Sequence, residues 1–220
     1  MGMGVDVRNR IAARAAKEIK DGMIVNLGIG IPSLVSNHLP KDLHVMFHAE
    51  NGILGMGESP EKGDEDAMLC NAGGFPVTIV PGASYFDSAS AFGMIRAGFL
   101  DITILGGLEV SEEGDLANWV IPGKRVPGIG GGMELAEKAK KVIVLMSHVN
   151  KNGEPKILRE CTLPLTAKKC VNIIITDMAV IEVTDEGLVL KEVMEPFSPE
   201  EVLAKTGAPL KISEDLVSIK

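Results

Sequence analysis

Short apolar runs that alternate with stretches of helical periodicity limit this chain to few folds. Asp6 to Lys20 carries Ile11, Ala12, Ala15, Ala16 and Ile19 at helical spacing, with Asp21-Gly22 as the stop. Met23 to Leu27 then predicts a strand, followed by Gly28-Ile29-Gly30 and a helix opening near Pro32-Ser33. His44 to Ala49 predicts the next strand, and Leu100 to Leu105 a buried one ending at Gly106-Gly107. Between them, Asp87 is placed to cap a helix through Ala97 that Gly98 closes. Met133 to Lys141 predicts a helix, and Val142 to Met146 and Ile173 to Thr176 predict strands. Ala179 to Val183 and Leu188 to Val193 flank Thr184-Asp185-Glu186-Gly187 as a hairpin. Ser198, as N-cap, and Pro199 then open a final helix. Such alternation predicts an α/β fold, a mostly parallel open sheet covered by helices, with a C-terminal β-hairpin and helix. No internal repeat or linker divides the sequence, so residues 1–220 are expected to form one domain.

Composition narrows the function classes. With one Trp, one Tyr and a formal charge of −8, the chain offers neither stacking platforms nor a basic surface for nucleic acid. Cys70, Cys161 and Cys170 are odd in number and lack Cys-x-x-Cys spacing, which points to reduced thiols rather than disulfides or zinc. No signal peptide and no apolar run of about 20 residues is visible, so the expected location is the cytoplasm, off the membrane. The acidic stretch from Glu58 to Asp66 is expected to be a solvated loop.

Four places carry candidate chemistry. Glu50-Asn51-Gly52 follows a predicted strand and opens a glycine-rich turn through Gly57, so Glu50 would sit at the sheet edge where open α/β folds bind ligands. On spacing alone, an exposed loop acid beside an Asn-Gly turn is the more economical reading. Gly128-Ile129-Gly130-Gly131-Gly132 precedes a predicted helix, and consecutive backbone N–H groups there would suit an anion. Gly28 and Gly30 resemble the start of a dinucleotide fingerprint, but Ser33 holds the third glycine position, which leaves a structural turn as the simpler account. A strand over His44, Met46, His48 and Glu50 would put these on one face; packing suits His48 better than metal binding, and no metal is assigned. Glu109 is either a polar contact near the site or an exposed acid. Trp119 is expected to pack near the pocket or a subunit contact. Lys124-Arg125, the only cationic pair near the glycine loop, is expected to face solvent.

Three motifs carry a resemblance. The segments His48 to Gly57, Gly106 to Val110 with Gly114 to Trp119, and Gly128 to Leu135 resemble those of the B (beta) subunit of family I coenzyme A transferases of the acetoacetate or 3-oxoacid type. The likeness runs from about Arg10 to about Gly207. It implies that Glu50 is a nucleophile carrying coenzyme A as a thioester, with ping-pong kinetics. It implies that Asn51 and Gly52 set the turn that aims Glu50, and that Gly130, Gly131 and Gly132 form an oxyanion and CoA loop. It further implies a separate A (alpha) subunit in a heterodimer or heterotetramer, with acyl-CoA and a short carboxylic acid as substrates. Coenzyme A would then be substrate and covalent intermediate, with no permanently bound cofactor. A non-catalytic ligand-binding or sensor protein on the same fold is the alternative.

Overall fold

A computed structural model describes residues 3–124 and 128–220. In chain order it forms α1 (Val5–Ala16), β1 (Ile24–Leu27), a 3-10 helix (Pro32–His38), β2 (Met46–Ala49), β3 (Ile53–Met56) and β4 (Ile79–Tyr85). These are followed by α2 (Ser88–Arg96), β5 (Ile102–Gly106), β6 (Glu109–Ser111), β7 (Leu116–Ala117), α3 (Gly132–Lys138), β8 (Lys141–Leu145) and β9 (Ile157–Leu158). The chain ends with β10 (Ile173–Ile175), β11 (Ala179–Thr184), β12 (Gly187–Met194), α4 (Pro199–Ala204) and β13 (Leu210–Ile219).

Ten of these strands make one sheet in the order β13-β12-β11-β10-β8-β5-β1-β2-β3-β4. The middle of the sheet, β10-β8-β5-β1-β2, is wholly parallel. Antiparallel pairs extend it on both sides, β2-β3-β4 on one and β10-β11-β12 on the other. Side chains alternate across the parallel block: Val142 and Val144 of β8 join a core with Ile95 and Leu135, the faces of α2 and α3. Ile143 and Leu145 join the opposite core with Ile11, Ala12 and Ala15 of α1. A sheet buried on both faces needs near-continuous apolar strands, which is why the middle strands stand out in the sequence.

Three local expectations need correction. The glycine-rich stretch after Glu50 is not one long turn: the chain reverses at 50–52 and returns as β3 against β2. The strand expected from His44 begins at Met46; His44 is exposed and bonds Asp21 through Nδ1 at 3.2 Å. The final helix, with its Ser198–Glu201 capping box, is not the last element, because β13 follows and pairs parallel with β12. Its half-exposed sequence buries too little apolar surface to announce a strand.

Where β8 and β10 end, a buried polar network ties α4 to the sheet. His148 is fully buried, with Nδ1 3.0 Å from Thr176 Oγ1 and Nε2 3.0 Å from Thr206 Oγ1. The Thr206 hydroxyl donates to Val202 O, so it accepts from the ring and places the imidazole proton on Nε2. Nδ1 then accepts from Thr176, whose oxygen already takes the N–H groups of Met178 and Ala179. A neutral ring satisfies every partner; burial pushes its pKa down to about 4. Because the folded pKa lies below the unfolded one, this contribution is complete above pH ~6.5 and is lost as pH falls toward 4. Denaturant titrations should show about 3 kcal/mol of pH-dependent stability in that window, and His148→Gln should remove it.

Candidate active site

Strand order reverses about β1, whose neighbours are β5 and β2, and such a switch point opens a crevice beyond the strand C-termini. The segments leaving those three strands are Gly28-Ile29, Gly106-Gly107-Leu108 and Glu50. All of them line one cleft of about 570 Å³, together with Asn118, Trp119 and residues 128–132. Glu50, Gly130, Gly131, Gly132 and Gly28 are therefore brought together, whereas Gly30 is not among the lining residues. Gly30 instead turns the chain at φ +92 and accepts the Ser33 hydroxyl at 2.8 Å.

Glu50 is held from below. Asn26, 1% exposed on β1, donates through Nδ2 to the His48 carbonyl at 3.0 Å and to Glu50 Oε2 at 3.2 Å. Thr103 of β5 completes the chain with Oγ1 3.5 Å from Asn26 Oδ1. The turn beyond Glu50 is closed by Gly52 N–H donating to Ala49 O at 3.0 Å. Gly52 has φ +115, and a Cβ there would lie 2.0 Å from Phe86 O, so only glycine fits. Asn51 points away from the cleft floor and donates to Cys70 O at 2.8 Å, fastening the turn to the following loop. His48 stacks on Phe86 at 6.2 Å, and neither ring nitrogen has a partner among the described residues. Burial pushes its pKa down, with the Glu50 charge opposing.

The glycine loop faces Glu50 across the cleft. A Cβ built on Gly131 would lie 3.5 Å from Glu50 Cγ and 3.1 Å from Phe92 Cζ of α2. Helix α2 is tied to α3 by Arg96, whose guanidinium binds Glu134 at 2.7 and 2.6 Å. Gly132 N–H is committed to Ile129 O, while among the described residues neither Gly130 nor Gly131 donates to a backbone carbonyl.

The opposite wall is pinned at successive backbone groups. Asn118 Nδ2 donates to Gly106 O at 3.1 Å, Lys156 Nζ to Gly107 O at 3.2 Å, and Leu108 N–H to Ala117 O at 2.9 Å. Lys156 also donates to Ser147 Oγ at 3.2 Å, and burial lowers its pKa to about 8, with Asp177 and Glu109 opposing. Glu109 is neither a free acid nor a cleft residue. Its carboxylate accepts from Thr162 N, Thr162 Oγ1 and Leu163 N, clamping that loop. Trp119 lines the cleft with its indole N–H donating to Leu165 O at 3.2 Å. Lys124 is exposed, and Arg125 lies outside the described residues.

Sequence reasoning missed Asn26, Thr103 and Lys156. A polar residue in each of two predicted inner strands, Asn26 and Thr103, was the available signal; Lys156 gave none. Among the described residues no group of three or more His, Cys, Asp or Glu is placed to hold a metal ion, and no helix is long and apolar enough to cross a membrane.

A cleft that presents one carboxylate to a glycine loop at an α/β switch point now has a family. The chain belongs to the coenzyme A transferases, whose family model matches residues 8–205. Within the family it is of the B (beta) type. It is 63% identical over 212 residues to the beta subunit of a probable coenzyme A transferase from Bacillus subtilis, covering 96% of this chain and 98% of that one. It is 52% identical over 206 residues to the B subunit of the succinyl-CoA:3-ketoacid coenzyme A transferase of Helicobacter pylori, covering 94% and 99%. The apoenzyme crystal structure of acyl-CoA transferase YdiF from Escherichia coli O157:H7 shares the fold at a TM-score of 0.78 and 21% identity. There the chain covers 100% of its own length and 44% of that protein's.

Two substitutions separate scaffold from site. Gly52→Ala should cost at least about 2 kcal/mol in a denaturation experiment, because both φ and the Phe86 carbonyl oppose a methyl group. Asn26→Ala should lower kcat for CoA transfer by roughly tenfold to a hundredfold with little change in KM, since it frees the Glu50 carboxylate without touching the cleft walls.

Proposed function

We propose that this chain is the nucleophile-bearing half of a transferase that moves coenzyme A between a short-chain 3-oxoacid and a second carboxylic acid. One observation carries the reading: a cleft carboxylate, Glu50, is held by the buried Asn26 and faces the glycine loop so closely that a methyl group added at Gly131 would lie 3.5 Å from its Cγ. Glu50 Oε attacks the thioester carbonyl of the acyl-CoA, the C–S bond breaks, and CoA thiolate leaves a mixed anhydride. The thiolate then attacks the Glu50 carbonyl carbon, expelling the free carboxylate and forming a Glu50–CoA thioester. An incoming carboxylate attacks that thioester to form a new anhydride and release thiolate. Thiolate attack on the new acyl carbonyl then yields product and restores Glu50. Only a carboxylate nucleophile keeps the thioester's free energy in an anhydride and passes on the CoA; Ser or Cys would keep the acyl group instead.

Each addition places negative charge on an oxygen that needs fixed donors. The backbone N–H groups of Gly130 and Gly131 are assigned that role, with Asn51 and Gly52 shaping the turn that presents Glu50. Water has to be kept out, because both the anhydride and the thioester hydrolyse. The cleft is open on this chain, and the relatives' names designate B or beta subunits. Both points support an A subunit that closes the site in a hetero-oligomer. The 3-oxoacid assignment rests on the Helicobacter pylori relative, and the cytoplasm is the proposed location.

Intact mass spectrometry of the chain co-purified with its A subunit tests the mechanism. Acetoacetyl-CoA should add one CoA, with loss of water, on the peptide holding Glu50, and a carboxylic acid should remove it. Glu50→Gln should abolish the adduct and lower kcat by at least about a thousandfold. Absence of any adduct in an assembled complex overturns the covalent scheme. Gly131→Ala should lower kcat by about tenfold or more: its negative φ accepts alanine, but the added methyl would press on Phe92 at 3.1 Å and crowd Glu50 Cγ at 3.5 Å.

A further inference from the structure

Two side chains grip the cleft wall at successive carbonyls. Asn118 Nδ2 holds Gly106 O at 3.1 Å, and Lys156 Nζ holds Gly107 O at 3.2 Å. Both reach out from the three-stranded sheet β7-β6-β9, Asn118 from just after β7 and Lys156 from just before β9. The amide is neutral, whereas the ammonium brings a full charge into a half-buried place. Such a charge is costly unless it secures something.

Lys156 is anchored where the two sheets meet. Its own N–H donates to His148 O at 3.1 Å, and its carbonyl accepts from Val110 N–H of β6 at 3.0 Å. From that fixed backbone the side chain spans the segments leaving two neighbouring parallel strands of the main sheet. Gly107 follows β5, and Ser147, whose Oγ lies 3.2 Å from Nζ, follows β8. Among the described residues no carboxylate stands within ion-pair distance of Nζ. The ammonium is therefore directed at a backbone carbonyl and a hydroxyl, not at a salt bridge.

What it secures is one peptide group. The Gly107 carbonyl accepts from Nζ, and the N–H at the other side of that same planar unit, Leu108 N–H, donates to Ala117 O at 2.9 Å. Gly107 and Leu108 both line the cleft that holds Glu50. A hydrogen bond from a charged donor is roughly twice as strong as one from a neutral donor, so the clamp is strongest while the lysine is protonated.

We propose that Lys156 is a positioning residue for CoA transfer: its ammonium sets the Gly107–Leu108 peptide in the cleft wall, and the wall loosens when that charge is lost. This rests on the transferase reading above and adds a control on the wall that the acyl-CoA meets. A neutral amine keeps two N–H groups but loses the charge assistance to Gly107 O. Displacing a wall that orients the thioester against Glu50 costs rate, because orientation enters the barrier directly.

The groups facing Nζ keep its proton within working range. Burial lowers the Lys156 pKa to about 8, with Asp177 beyond β10 and Glu109 on β6 opposing. His148, the third titratable neighbour, is neutral there, since burial holds its own pKa down at about 4. The ammonium is thus present below about pH 8 and lost above it.

The test is the pH profile of kcat/KM for acetoacetyl-CoA, measured on the complex with the A subunit from about pH 6 to about pH 10. Four forms are compared: wild type, Lys156→Met, which keeps the stem, Lys156→Arg, which stays charged throughout, and Lys20→Met as an exposed control. Wild type and the control should lose about tenfold between pH ~7 and pH ~9, with a midpoint near the lysine's own pKa. Lys156→Met should sit about tenfold or more below wild type at neutral pH and show no such limb. Lys156→Arg should also lack the limb. A merely structural lysine would lower activity in the Met variant and leave the midpoint where it was. A wild-type profile that stays flat overturns the assignment whatever the variants do, as does a limb whose midpoint is unchanged in either Lys156 variant. Complex that transfers CoA without a Glu50 adduct fails the covalent mechanism, and these profiles still decide the role of Lys156. Complex that transfers no CoA overturns both.

Discussion

A primary amide buried on the central strand must find acceptors, because an unpaired N–H in that position costs about 1–3 kcal/mol. Asn26 meets that requirement by crossing to the neighbouring strand, where one nitrogen reaches both the His48 carbonyl and the Glu50 carboxylate. The sheet's own need for polar satisfaction thus fixes the direction of the cleft carboxylate. The demand runs one strand further, through Thr103 on β5, so three adjacent parallel strands share one polar thread in an otherwise apolar layer. Register between β1 and β2 sets Asn26 opposite His48, two residues before Glu50. A slip of one residue would break the thread and turn every side chain to the other face.

Around that carboxylate the cleft is made largely of backbone whose groups are individually held. Gly106, Gly107 and Leu108 are each fixed by a different partner, one of them a half-buried ammonium. The glycine loop opposite is positioned by Phe92 and by the Arg96–Glu134 tie between two helices. Surface ion pairs contribute little to stability on their own. This one joins the helix beneath the loop to the helix that begins at it, so its effect is on geometry.

The parallel middle of the sheet was legible because both its faces are buried and its strands are correspondingly apolar. The antiparallel flanks were less so. β3 hides in a glycine-rich segment whose turn residues suggest a loop, and β13 is an edge strand with polar residues on both faces. Glu50 and Gly131 were identifiable from motif resemblance, but their mutual distance was not, since 81 positions separate them and only the sheet brings them together. Asn26 and Thr103 looked like ordinary polar positions, for a sequence shows what a side chain is and not what it must satisfy.

Gly107 has no room for even a methyl group: a Cβ there would lie 2.6 Å from Val144 Cγ1 and 2.9 Å from Met146 Sδ. Gly28 on the neighbouring loop is confined almost as closely, by Ile104 O at 3.2 Å. Two walls of the cleft thus resist variation, since a side chain added there must push aside Val144 and Met146 or press on the Ile104 carbonyl. Divergence toward other acids is left to the lining positions that already carry side chains, among them Ile29, Ala72, Leu108 and Trp119. New substrate preferences in this lineage should therefore accumulate at those few sites while the glycine walls stay constant.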